Sequence, residues 1–128
     1  MINIQIKVGL KGKQELTVSE NDTAKKYGSG LVEVFATPAM VAFMELTALK
    51  SIESLLPESM TSVGTELNMK HLRASAIGHF LRCESNIIEV KGRKITFELT
   101  VWDDVILVGH GTHVRHIVEL EKFMAQVL

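Results

Sequence analysis

Glu45 is the residue of this sequence hardest to assign to packing alone. It sits in the apolar stretch between Pro38 and Pro57. At 100° per residue it shares a helical stripe with Val41, Ala48, Leu49, Ile52 and Leu56, while Thr47, Lys50, Ser51 and Ser54 gather on the opposite side. The stripe predicts a carboxylate facing away from water. Burying it unpaired would cost several kcal/mol or force its pKa upward. A structural cation or a small cavity would relieve that cost, but perturbed carboxylates also gather at reactive sites. His71 is the second anomaly. It ends the alternating run Val63 to His71, on the face of Val63, Thr65, Leu67 and Met69, and so points at the layer that holds Glu45. A glutamate and a histidine converging on one layer could orient and deprotonate water or a hydroxyl. Thr37, directly before Pro38, reads as a helix N-cap. The start of a helix is also electropositive and suits an oxyanion or a hydroxyl nucleophile.

Other reactive residue types carry less. His110, His113 and His116 suggest a metal site, yet on a strand His113 points opposite to the other two, so no metal is expected. Gly109-His110-Gly111 lacks the strand-to-helix context of a phosphate loop. Cys83 has no activating neighbour and reads as a partly buried structural thiol. Lys91, Arg93 and Lys94 lie at a turn and read as solvated surface.

The elements that must position Glu45 and His71 follow from pattern. A helix over 38–56, opened by Thr37-Pro38 and closed by Pro57, would be about 28 Å long. Alternating Ile2, Ile4, Ile6 and Val8, then Leu16 and Val18, predict one or two strands in residues 2–18, followed by a short helix and loop over 19–30. Strands are predicted at 63–71, 79–90 and from Lys94 to Trp102, the last with Ile95, Phe97, Leu99 and Val101 inward. Another is predicted over 105–119, where Gly109 and Gly111 imply a bulge or close backbone approach. Lys91-Gly92-Arg93 and Asp103-Asp104 are the turns between them. This order predicts an α+β domain, a curved antiparallel sheet wrapped around one long helix.

Composition excludes several classes of function. The 128 residues are 46% hydrophobic and 23% charged, which predicts one domain over 1–128. Fourteen basic against 15 acidic residues give a net charge of −1, so nucleic acid is not an expected partner. No apolar run reaches the length of a membrane span. The single cysteine cannot form an intramolecular disulfide, and Met1 to Gln5 contain no basic region followed by an apolar stretch. A cytoplasmic location is expected.

Three segments together resemble the hotdog-fold thioesterases, most closely the fluoroacetyl-CoA thioesterase family. Val34-Phe35-Ala36-Thr37 with Glu45 eight residues on is similar to that family's helix start and helix glutamate. Gly64-Thr65 followed by His71 is similar to the strand carrying its third catalytic residue. Gly111-Thr112-His113-x-Arg115 followed by Leu120-Glu121-Lys122-Phe123 is similar to its terminal strand. The resemblance covers about Val34 to Phe123 and implies a hotdog fold with a Thr37, Glu45 and His71 triad acting on an acyl-CoA thioester.

In that reading Glu45 is the nucleophile or the base that activates water, Thr37 positions it, and His71 assists proton transfer or polarises the thioester. Gly64, Arg115 and Phe35 are the implied substrate-binding residues, with the peptide N–H near Gly64 at the oxyanion. Coenzyme A enters only as part of the substrate, with no metal or redox cofactor. The resemblance further implies a homodimer or dimer of dimers, with the site between protomers. Lys25 to Val32 are shorter than the family's aromatic, proline-containing lid, so selectivity for fluoroacetyl is not implied. Two alternatives remain, a non-catalytic acyl-CoA-binding protein and a hotdog hydratase or dehydratase.

Overall fold

A computed structural model describes residues 3–128. Strand β1 (Lys11–Thr17) leads through a 3-10 turn (Glu20–Asp22) and a one-turn helix α1 (Ala24–Tyr27) to the long helix α2 (Thr37–Glu53). Then follow β2 (Met60–His71), β3 (Phe80–Lys91), β4 (Lys94–Asp103), β5 (Ile106–Glu119) and a terminal helix α3 (Leu120–Val127). The five strands form one antiparallel sheet in the order β1-β3-β4-β5-β2. Helix α2 packs across it, as expected of a hotdog domain.

Strand β4 shows how the core is made. Ile95, Phe97, Leu99 and Val101 are all buried, as their alternation predicts, against Met40, Phe43, Met44, Ala48 and Ile52 of α2. Two tight approaches complete the contact. A side chain at Gly109 would collide with the Met40 sulfur, and one at Gly111 would lie 2.5 Å from the Asn68 carbonyl of β2. The chain pairing also slips between Val101 and Trp102, next to Gly109. Cys83 is wholly buried, and burial pushes its thiol up to about 11.

Several expectations are corrected. Only Lys11–Thr17 is a strand in the described N-terminal region; residues 3–10 form turns that bury Ile6 and leave Ile4 and Val8 exposed. Ile2 lies outside the described residues. Leu120 to Phe123 leave the terminal strand and begin α3, because Leu120 N–H bonds the Ser59 carbonyl and turns the chain away from the sheet. The long helix ends at Glu53, with the turn before Pro57 made by Leu55 and Leu56.

Candidate functional site

Thr37 is the first helical residue rather than the cap. Ala36 holds the N-cap position and makes no side-chain cap. The Thr37 hydroxyl turns instead to β2, where its Oγ1 lies 2.9 Å from His71 Nδ1. His71 Nε2 is buried without a hydrogen-bond partner among the described residues. Burial holds the His71 imidazole below its ordinary pKa, opposed more weakly by the Arg73 backbone. The pair borders a cleft of about 410 Å³ that also takes in Gly30, Val32, Phe35 and Arg73. Phe35 is buried beneath it, edge-on to both Phe43 and His71 with ring centres 6.4 Å apart in each case. A second cleft, about 450 Å³ across β1, β3 and β4, contains none of the candidate residues.

Glu45 does not face the sheet as the stripe predicted. Its side chain is 43% exposed, on the flank of a buried face made by Ala39, Met40, Phe43, Met44, Thr47, Ala48 and Ile52. Thr47 can be buried because its hydroxyl donates to the Phe43 carbonyl four residues earlier, at 2.8 Å. With Thr47 inward, the buried face is centred away from Glu45. The β2 pattern is corrected as well. Register slips between Gly64 and Glu66, so Thr65 is the extra residue of a bulge. Ser62 is therefore buried and Gly64 faces Glu45, while Leu67, Met69 and His71 lie on the more buried face beyond the bulge.

The carboxylate meets Arg115 rather than His71. Glu45 Oε2 lies 3.7 Å from Arg115 Nη1, and a side chain at Gly64 would fall 2.7 Å from that oxygen. Arg115 is buried, and its Nε donates to Ser62 Oγ at 2.8 Å while Nη2 donates to the Ser62 carbonyl at 2.9 Å. Next to it, His113 is buried with its ring stacked on Phe97. One chain thus holds two clusters, Thr37 with His71 and Phe35, and Glu45 with Gly64 and Arg115. They are well separated. Thr37 and Glu45 are about 12 Å apart along the helix axis, and His71 and Gly64 on the order of 20 Å along the strand.

His113 is the residue that sequence reasoning missed: it stands there as a rejected metal ligand and within the terminal-strand segment, with no role at the site. A signal was available in His113-x-Arg115, whose spacing of two puts both side chains on one strand face.

Both imidazoles, His113 buried and His71 half-buried, bear on acid stability. Burial lowers the pKa of His113 below 6.5, as it does that of His71, and Arg115 adds to the effect. The unfolded chain then binds more protons than the native one as pH falls below about 6.5, so their contribution is complete above that value and lost beneath it. Thermal melts are expected to show a lower midpoint at pH 5 than at pH 7. A double variant, His71→Asn with His113→Gln, should flatten that acid-side slope, and an unchanged slope would assign it to other groups.

The family model of fluoroacetyl-CoA-specific thioesterases matches residues 18–121 of the chain. The fluoroacetyl-CoA thioesterase of Streptantibioticus cattleyicolor is 34% identical over 95 residues, covering 74% of this chain and 68% of that protein. A variant of the fluoroacetyl-CoA thioesterase solved with acetyl-CoA superposes with a TM-score of 0.90 at 28% identity, over 94% of this chain and 96% of that one. A thioesterase superfamily member from Thermus thermophilus is similar at a TM-score of 0.88 and 25% identity, over 95% and 90% of the two chains.

Proposed function

Because the chain belongs to the fluoroacetyl-CoA-specific thioesterase family, we propose that it hydrolyses an acyl-CoA thioester to CoA and a carboxylic acid through Glu45, Thr37 and His71. The observation that carries the reading is the Thr37–His71 bond, which fixes an imidazole at a cleft and leaves its Nε2 unpartnered. A hydroxyl that donates to Nδ1 keeps the proton on Nε2, which can then hydrogen-bond the leaving sulfur.

The reaction adds water across the C–S bond. In one route Glu45 takes a proton from water, the hydroxide attacks the carbonyl carbon, the C–S bond breaks with the sulfur hydrogen-bonded to His71 Nε2–H, and the sulfur leaves as a thiol with the proton that Glu45 took from water. In the other a Glu45 oxygen attacks first, the thiolate leaves, and water hydrolyses the resulting anhydride, regenerating the Glu45 carboxylate and supplying the proton that makes the thiol. The Gly64 peptide N–H and the Arg115 guanidinium stabilise charge that develops on the acyl oxygen. Phe35, buried beneath the cleft, backs its apolar floor under the acyl group. Protein groups and water suffice, with no metal or redox cofactor.

The two clusters are too far apart to serve one carbonyl from a single chain, so the working unit is at least a homodimer. Two features support a second copy. The outer edge of β2 has no neighbouring strand among the described residues, and Ala42 and Leu46 leave apolar surface exposed on α2. Antiparallel pairing of two β2 edges would carry the His71 end of one strand back along the Gly64 end of the other. A dimer of dimers would retain the same paired site. We place the enzyme in the cytoplasm, where thioesters of CoA are at hand and lone Cys83 stays reduced. No helix among the described residues is long and apolar enough to cross a membrane.

The test is free-thiol release from a panel of short, branched, aromatic and long acyl-CoAs. Release from at least one member, with one carboxylic acid formed per thiol, is expected. A change in enoyl absorbance with no thiol would instead make the protein a hydratase, and saturable binding with no turnover would make it a binding module. Selectivity for fluoroacetyl is outside the proposal, since the cleft is bordered by Ser29, Gly30 and Val32 in place of an aromatic lid.

A further inference from the structure

The inner end of β5 carries a chain of contacts whose protonation can be deduced. His113 Nδ1 lies 2.8 Å from the Glu66 carbonyl, and a carbonyl only accepts, so Nδ1 carries the proton. His113 Nε2 lies 3.1 Å from Arg115 Nη1, and a guanidinium only donates, so Nε2 is a bare lone pair. The neutral Nδ1–H form is therefore the only one that satisfies both neighbours. A protonated ring would set an N–H against the guanidinium. Nη1 has two protons, and the bond to His113 takes one while the other side of the same nitrogen faces Glu45 Oε2 at 3.7 Å. Ser62 holds Nε and Nη2.

We infer that His113 is a positioning residue for thioester hydrolysis, its Nε2 fixing the Arg115 guanidinium in the plane that turns Nη1 toward the Glu45 carboxylate. This rests on the reading of Glu45 as the reacting carboxylate. Three further features fit the role. The Phe97 ring stacks on His113 with centres 6.3 Å apart and fixes its tilt. The bulge at Thr65 changes the β2 register beside the Glu66 carbonyl that receives Nδ1–H. Gly64 leaves open the space between the carboxylate and the imidazole, where a Cβ would lie 2.7 Å from Glu45 Oε2 and 2.9 Å from His113 Cε1. Without His113, two Ser62 bonds would still retain Arg115, but Nη1 would be free to swing from Glu45.

The experiment compares His113→Asn, His113→Gln and Glu45→Gln with wild type, each shown to be folded by circular dichroism. Asparagine can still donate toward Glu66 but is too short to accept from Arg115; the glutamine oxygen reaches the place of Nε2. His113→Asn is expected to lower kcat roughly 10- to 100-fold, the size of a lost orienting contact, with KM within about 3-fold. His113→Gln should restore kcat to within about 3-fold of wild type. A purely structural histidine predicts lower melting temperatures in both with kcat per folded protomer unchanged, and that result overturns the inference, as does a glutamine variant as slow as the asparagine one. Nitrogen-15 NMR of the wild type keeps the test open should the variants not fold: the inference requires a protonated Nδ1 and bare Nε2, and the opposite tautomer ends it. Glu45→Gln separates the two claims, since full activity there removes the reading beneath this one whatever His113 does.

Discussion

Glu45→Gln is expected to lower kcat for thioester hydrolysis by about 10³-fold or more, with binding of the acyl-CoA little changed. The amide matches the carboxylate in shape but neither takes a proton from water nor attacks a carbonyl carbon, so both routes stop at their first step. Stability should scarcely move. The Glu45 side chain is 43% exposed and its 3.7 Å contact with Arg115 is screened by water, so the pair contributes little to folding. Arg115 also keeps its bonds to Ser62 and His113. A melting temperature within a few degrees of wild type, together with thiol release at the uncatalysed rate, is the expected pairing. Substantial residual release by a folded variant would take Glu45 out of the chemistry.

The parts of the molecule that were legible in the sequence are those where one face is wet and the other dry. In β4, Ile95, Phe97, Leu99 and Val101 alternate with Lys94, Thr96, Glu98 and Thr100, and the structure buries the first set. In β3 the alternation is poor for a local reason. Its register slips between Ile87 and Glu89, leaving Ile88 as an exposed extra residue. The same device misled the reading of β2, where Thr65 is the extra residue and no side-chain type there announces it. Helix α2 failed differently, since it is apolar nearly all round and its inward face could not be centred from the wheel. Leu46 is exposed although apolar, and Thr47 is buried although polar because it bonds its own helix. Ile4 and Val8 alternate like a strand but have no partner strand among the described residues.

The candidate site was legible as a set of residues and not as an arrangement. Glu45 and His71 were named from their types and Thr37 joined them through the family resemblance, yet the expectation that Glu45 and His71 meet in one layer fails within a chain. Sequence periodicity reports which face a side chain occupies and is silent on distance along the element. Eight residues of helix and seven of strand separate the two clusters, and that length is the ground on which we propose a second protomer.

The central claim is accordingly that each working site takes Glu45 from one copy and the Thr37–His71 pair from the other. The most direct test is a heterodimer assembled from one protomer carrying Glu45→Gln and one carrying His71→Ala, purified by two different tags. Each homodimer is inactive on the proposed mechanism. In the heterodimer one site combines both lesions, while the other joins the intact Glu45 of the His71→Ala protomer to the intact Thr37–His71 pair of its mate. Thiol release per heterodimer should return to about half that of wild type, a gain of two orders of magnitude or more over either parent. A heterodimer as inactive as its parents, stable and folded, would place all three residues in one chain's site and contradict the account.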